Sequence, residues 1–376
     1  MQTITTIGLD IAKSVFQVHG VGTDGQVVVR RQLKRRYVLA FFQKLPPCLV
    51  GIEACASAHH WARELQALGH TAKLMPPAYV KPYVKRHKND AADAEAICEA
   101  MSRPTMRFVP MKTSEQQAAL MLAGTRRGLT KRRTQLSNTI RGYAAEFGLT
   151  TAKGLDKIEP LLARIALSAD LPKLAKELFA AYDREYAQLE RQFLGMEARL
   201  MAWHKHNELS RRLVEIPSIG PIGARLLAMK VTNPHAFRCG RDFAAWIGLT
   251  PKDHSTAGKT RLGVISRAGD EELRSVLVAG ATAVIQQAQK GRGYCPPWLV
   301  DLLKRKPAKL VAVALANKMA RVAWKLMVSG ERYNPACIAA PATPTREGAA
   351  LRCVGLRAAP PRSASRLGAV VARTKA

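Results

Sequence analysis

Thr5-Thr6-Ile7-Gly8-Leu9-Asp10-Ile11-Ala12-Lys13-Ser14 is the stretch on which the fold turns. Thr5 to Leu9 reads as a short buried strand, and Asp10 sits where it ends. Ile11-Ala12-Lys13-Ser14 turns the backbone, and Val15-Phe16-Gln17-Val18-His19 starts a second strand with partial alternation. Gly22-Thr23-Asp24-Gly25 supplies a turn of the Asp-Gly type, and Gln26-Val27-Val28-Val29 follows as a third strand. Asp10 therefore closes the first strand of a predicted three-stranded meander. Taken alone, a surface aspartate at a strand end is the simpler reading.

The chain around this stretch has 376 residues, enough for two or three domains, and 47% of them are hydrophobic. That share can furnish a real core and excludes a wholly disordered chain. Lys plus Arg number 59 against 28 Asp plus Glu, a formal net charge of +31. Solubility asks for far less, so the excess predicts a polyanionic partner. No apolar run is long enough to span a membrane, and the first residues form a strand where a secretory leader would be basic and then apolar. Seven dispersed cysteines, without a CxxC pair or zinc spacing, fit free thiols in a reducing cytoplasm.

Further carboxylates appear downstream. A basic helix is expected over residues 34–45, stopped by Pro46-Pro47; Cys48 to Ile52 reads as the next buried strand, with Glu53 at its end. A helix carrying Trp61, Leu65 and Leu68 closes at Gly69, and Thr71 to Met75 is another strand, completing an α/β unit. Asp10 and Glu53 thus share an address, the ends of buried strands, that is common for catalytic groups in α/β sheets. A basic stretch containing Lys85, Arg86 and Lys88 precedes a helix that starts at Asn89. Asp90 and Asp93 lie on one face of that helix. Like charges on one face cost energy unless a cation lies between them, and four carboxylates could hold two magnesium ions across a scissile phosphate. The competing reading makes Asp90 an N-cap, and Asp93 and Glu53 partners of helix dipoles. An acidic residue ending the first strand of a meander is also how nucleases of the ribonuclease-H type present their first metal ligand.

Residues 113–147 read as one long helix bearing Arg126, Arg127, Lys131, Arg132, Arg133 and Arg141, a phosphate-tracking surface or a solvated face. Residues 154–209 look helical throughout, with Tyr186, Leu189, Phe193, Met196, Leu200 and Trp203 at coiled-coil spacing; a hairpin within one chain and a dimer fit equally. Leu213 to Gly223, ahead of a helix at Ala224–Met229, resembles a helix-hairpin-helix turn offering N–H groups to phosphate. After a helix at Asp242–Ile247, residues 250–263 form a polar, flexible, basic loop. Ser255 lies in it, with Lys259, Arg261 and Arg267 nearby. A serine among cations can act as a nucleophile toward phosphorus, though composition does not select Ser255 over Thr256 or Ser266. Helices follow over 270–290 and 309–328, with Trp298 and Lys304-Arg305-Lys306 between them, and from Ala336 the composition becomes that of a disordered basic tail.

Gly8-Leu9-Asp10-Ile11-Ala12-Lys13, Gly51-Ile52-Glu53-Ala54, Lys88-Asn89-Asp90-Ala91-Ala92-Asp93-Ala94, Ile216-Pro217-Ser218-Ile219-Gly220-Pro221 and the block from Phe243 to Gly269 resemble, in order and spacing, the Asp-Glu-Asp-Asp insertion-sequence transposases of family 110, including its 1111 subgroup. The resemblance spans roughly residues 5–330. It implies an α/β RuvC-like (ribonuclease-H-like) N-terminal domain at 1–112 and a helical, coiled-coil linker at 113–210. A mainly α transposase domain at 211–335 and the tail at 336–376 would complete the chain. It further implies that Asp10, Glu53, Asp90 and Asp93 bind Mg2+, and that the catalytic serine is Ser255 when the block is anchored on Arg267-Ala268-Gly269; anchoring on Pro251 favours Thr256. Family members excise and insert their element through a circular intermediate, with a structured bridge RNA pairing donor and target DNA. A homo-oligomer, dimer or tetramer, acting in the bacterial cytoplasm on the nucleoid is the corresponding expectation. Two alternatives stand beside it: a RuvC-like nuclease using water, and a nucleic-acid-binding protein without catalysis.

Overall fold

The computed structural model describes residues 3–85, 89–293 and 295–335. The expected meander forms from β1 (Thr6–Ile11), β2 (Val15–Val21) and β3 (Val27–Lys34), each antiparallel to the next. Strand β3 runs five residues beyond its expected end, because Leu33 pairs with Phe16 and is buried, and the Arg35 N–H continues the ladder to the Ser14 carbonyl at 2.9 Å. The basic helix expected over 34–45 is thereby cut to a 3-10 turn, Arg35–Tyr37, and the short α1 (Val38–Phe42). Next come β4 (Leu49–Glu53), α2 (Ala58–Ala67), β5 (Thr71–Met75), α3 (Pro77–Val80) and α4 (Asp90–Met101). Strand order is β3-β2-β1-β4-β5, with β4 parallel to both β1 and β5.

The two faces of this sheet are built differently. Ile7, Leu9, Phe16, Val18, Val50 and Ile52 point to one face and bury Trp61, Ala62 and Leu65 of α2 against them. On the other face the central strands carry Gly8 and Gly51, side by side in the parallel register. A Cβ on Gly8 would sit 2.1 Å from the Ala94 carbonyl oxygen, and one on Gly51 2.4 Å from Met101 Cγ. These glycines let α4 lie directly on the sheet. Gly8→Ala must therefore push α4 outward, an overpacking change expected to cost about 1–3 kcal/mol. A chemical-denaturation midpoint equal to the parent's would contradict that packing.

The remainder is mainly helical. Thr113 and Gln116 form a capping box that starts α5 (Ser114–Glu146). Helicity is not continuous over 154–209: a 3-10 turn (Leu155–Lys157) and α6 (Ile158–Leu167) end at a break, and Pro172 opens α7 (Lys173–His206). Proline is tolerated at a helix start and not inside, which is the signal against one long helix. Contacts from Arg133–Glu190 to Tyr143–Tyr182 and Phe147–Phe179 run in opposite chain directions, so α5 and α7 are antiparallel. The apolar seam of α7, with Tyr186, Leu189 and Leu200 buried, is thus filled within one chain.

Helices α8 (Glu208–Leu213), α9 (Pro221–Lys230), α10 (Gly240–Ile247), α11 (Glu271–Gln289), α12 (Pro297–Arg305) and α13 (Ala308–Ser329) enclose a core of Leu213, Phe243, Leu277 and Met319 that also takes in Ala123 and Leu200 from the long hairpin. Helix α12 forms where the sequence suggested a connection; Pro297 starts it and Leu299 anchors it in the core. The turn between α8 and α9 holds Ser218 at φ 74°, and the Ser218 carbonyl presses on Gly280 of α11. The loop expected to be flexible at 250–263 is instead a two-stranded hairpin, β6 (Pro251–Asp253) and β7 (Leu262–Ile265). The tail from Ala336 lies outside the described residues.

Candidate active site

Strands β1 and β4 pair in parallel with Leu9 opposite Ile52, so the next residues, Asp10 and Glu53, end neighbouring strands. Both project to the face of Gly8 and Gly51, two residues back on each strand. That face receives the N-terminus of α4. Asn89, not Asp90, is its N-cap: the Asn89 side chain accepts the Ala92 N–H at 2.7 Å. This frees Asp90 and Asp93 to turn toward the sheet, and carboxylate oxygens of Asp10, Asp90 and Asp93 lie within 4.8 Å of one another. Glu53 stands outside that ring of three but acts on Asp10 electrostatically. Burial, then the charges of Asp93, Asp90 and Glu53, push Asp10 up to about 6, against a smaller lowering by the Ile11 N–H.

Such a cluster is destabilised by its own charge and relieved by a cation. Its donors are all hard carboxylate oxygens, a set that suits Mg2+ or Mn2+ and offers no soft or imidazole ligand. The residues present therefore fit a divalent metal.

The second candidate centre is the β6–β7 hairpin, whose residues 251–264 are all exposed. Its tip is a tight turn with Ala257 at φ 48° and Gly258 at φ 77°, closed by Lys259 N–H to Thr256 O at 2.9 Å. Its root is clamped. Gly248 and Gly269 lie too close to opposing backbone to carry a Cβ, and the Arg274 guanidinium donates to the carbonyls of Ile247 and Ala268 at 2.9 and 3.3 Å. Ser255 sits in one arm. Its N–H donates to Asp253 Oδ1 at 2.9 Å, and its Oγ accepts the Arg261 N–H at 3.0 Å. The Ser255 hydroxyl also bonds the Asp253 carboxylate, lowering the pKa of Asp253. These partners all belong to the hairpin itself.

Two family models match regions of this chain, one over its N-terminal part and one over its C-terminal part. A DEDD transposase family model of the IS110 elements matches residues 7–147, and the model described as "Transposase IS116/IS110/IS902 family" matches residues 210–295. Sinorhizobium fredii y4pF/y4sB, which carries a transposase name, is 60% identical over 337 residues, covering 89% of this chain and 87% of the relative. The transposase for insertion sequence element IS1328 of Yersinia enterocolitica is 38% identical, over 89% of this chain and all of its own length (100%). The transposase for IS1111A of Coxiella burnetii is 38% identical over 89% of this chain and 92% of its own.

This chain belongs to the IS110 family of transposases.

The transposase distributes its expected nucleic-acid contacts unevenly. Arg126 pairs with Glu197, and Arg133 pairs with Glu190 at 2.5 Å while stacking on Phe193, so both are turned into the α5–α7 seam. Arg127 reaches Glu272 at 3.6 Å but stays 59% exposed, and Lys131 and Arg132 are exposed. Lys85 pairs with Glu95 at 2.5 Å, whereas Arg86 and Lys88 lie outside the described residues. Lys259, Arg261 and Arg267 are exposed on or beside the hairpin. The sequence reading missed Asp253, the carboxylate on Ser255. It also missed the meaning of the paired Gly-x-acid steps, Gly8-Leu9-Asp10 and Gly51-Ile52-Glu53, although their spacing already places each glycine and acid on one face.

Proposed function

We propose that this transposase excises and inserts its insertion sequence by Mg2+-dependent cleavage and rejoining of DNA through a serine-linked intermediate, guided by a structured bridge RNA. The observation that carries the reading is the convergence of Asp10, Asp90 and Asp93, with Glu53 beside them, at one end of the sheet. The meander followed by two parallel strands, in the order β3-β2-β1-β4-β5, supports a RuvC-like domain. Asp10, Glu53, Asp90 and Asp93 would hold the metal. Bound there, Mg2+ would supply neutralising charge to phosphoryl oxygens during cleavage.

Ser255 would be the nucleophile. Its Oγ forms a bond to phosphorus as one ester bond of the DNA strand breaks, and the strand end leaves as a hydroxyl carrying the proton that serine gives up. Asp253, already bonded to that hydroxyl, would orient it and relay the proton. Attack by a new strand end reverses the exchange and frees the serine. The exposed hairpin would meet the carboxylates of its own chain or of a second copy in a homo-oligomer.

Two experiments test this reading. On a denaturing gel with Mg2+ and a nicked substrate, a protein–DNA adduct is expected; free cleaved ends would indicate water as nucleophile, and uncut DNA a binding protein only. Nucleic-acid affinity should also fall steeply with salt. A log–log slope of about −4 or steeper between about 0.05 and 0.3 M is expected if many phosphates are neutralised, whereas a slope near zero would remove the electrostatic basis of the reading.

A further inference from the structure

The strand register places a row of polar side chains beside Asp10. Asp10 lies directly opposite Gln17 of β2, and Gln17 directly opposite Gln32 of β3. Residues opposed in this way point to the same face, so the two amides continue the line Glu53–Asp10 out to the open edge of the sheet. Adjacent strands are about 4.8 Å apart, which puts Gln32 roughly 10 Å from Asp10 along the backbone lattice. Two residues beyond Gln32, on the same face, Lys34 lies opposite Val15.

Among the described residues, the amides of Gln17 and Gln32 make no hydrogen bond and Lys34 has no carboxylate partner, while Arg30 on the same face is already paired with Glu95 at 3.4 Å. Gln17 is half-buried, Gln32 and Lys34 exposed. The Gln17 amide is not among the buried unpartnered polar atoms, so it can meet a ligand without breaking a bond inside the described residues. An amide offers donors to phosphate oxygens and an acceptor besides, and lysine offers a point charge suited to phosphate.

We propose that Gln17, Gln32 and Lys34 form a track that seats the DNA strand next to the scissile phosphate, running from the carboxylates to the edge of β3. The proposal rests on the reading of Asp10 as part of the cleavage site. The three are positioning residues: they bond phosphodiesters flanking the reacting one and hold the strand in line with Asp10.

The test uses the full chain as the double variant Gln32→Leu/Lys34→Gln, both positions being exposed on an edge strand. The probes are a fluorescein-labelled duplex carrying the element's end and a labelled transcript of the noncoding RNA. Expected are a KM for strand cleavage raised at least fivefold with kcat within twofold, and a DNA salt slope shallower by about 0.7–0.9. Lys34→Arg should keep the parental slope, and affinity for the transcript should stay within twofold. Parental DNA affinity and slope in the double variant would overturn the track, and a loss confined to the transcript would assign the row to RNA and overturn it equally. If Asp10→Asn still cleaves while the double variant loses DNA affinity, the carboxylate reading fails and takes with it the track's placement beside the scissile phosphate, leaving the row a DNA contact only.

Discussion

Asp10→Asn is expected to lower metal-dependent strand cleavage by about a thousandfold or more, since losing the charge that holds the cation removes several kcal/mol of transition-state stabilisation. Nucleic-acid affinity should stay within twofold, because the phosphate-binding cations are elsewhere. The same substitution should raise thermal stability in metal-free buffer. Burial and the neighbouring carboxylates lift Asp10 from 3.8 to about 6 in the folded chain. A group whose folded pKa is raised contributes its full stability below the unfolded value and loses it as pH rises through the folded one. Between about pH 4 and 6 the metal-free parent should therefore lose stability that Asp10→Asn does not lose. The melting-temperature gap between them should be greatest above that window and close below it. Mg2+ should raise the parent's melting temperature and leave the variant's unmoved. Equal cleavage rates in parent and variant would remove Asp10 from the chemistry.

Ser255→Ala should abolish both strand cleavage and the covalent adduct while RNA and DNA binding persist. Rejoining without an external energy source requires that the broken phosphodiester be kept as an ester, and a hydroxyl on the protein does that. Geometry on the hairpin separates the two adjacent hydroxyls. Ser255 Oγ is held between the Arg261 N–H and the Asp253 carboxylate, whereas the Thr256 backbone closes the tip turn with Lys259. Thr256→Ala should accordingly keep part of the activity. Both positions are exposed, so neither variant should lose stability beyond about 0.5 kcal/mol. A nucleotide mass on Thr256 in a trapped complex would move the nucleophile by one residue. Cleavage by both alanine variants would instead make water the nucleophile.

How much of this was legible beforehand follows from the range of the interactions involved. Strands β1, β2, β4 and β5 announce themselves locally, through apolar runs that end in Asp10, Glu53 or a turn. The end of β3 does not: Arg30, Arg31 and Lys34 look helical or loop-like in sequence, and only pairing with β2 makes them a strand. The β6–β7 hairpin hid for the same reason, since its order comes from a two-residue turn and from the Arg274 clamp on its root. The competing reading of Asp90 as an N-cap fails because Asn89, an equally good cap, takes that place. Charge counting overestimated α5: Arg126 and Arg133 are as basic as their neighbours, but Glu197 and Glu190 face them from α7 across some sixty residues of chain. Asp10, Asp90 and Asp93 were readable as a set because Asp10 ends a buried strand, Asp90 and Asp93 share one helix face, and the motifs around them resemble those of a known family.

Electron paramagnetic resonance of Mn2+ titrated into the purified chain is the most direct measurement of the metal site. Binding at the cluster predicts a protein-bound Mn2+ population that Mg2+ displaces and that Asp10→Asn and Asp93→Asn each remove, with Ser255→Ala leaving it intact. Mn2+ binding of equal strength in the parent and both aspartate variants would show that the carboxylates hold no metal.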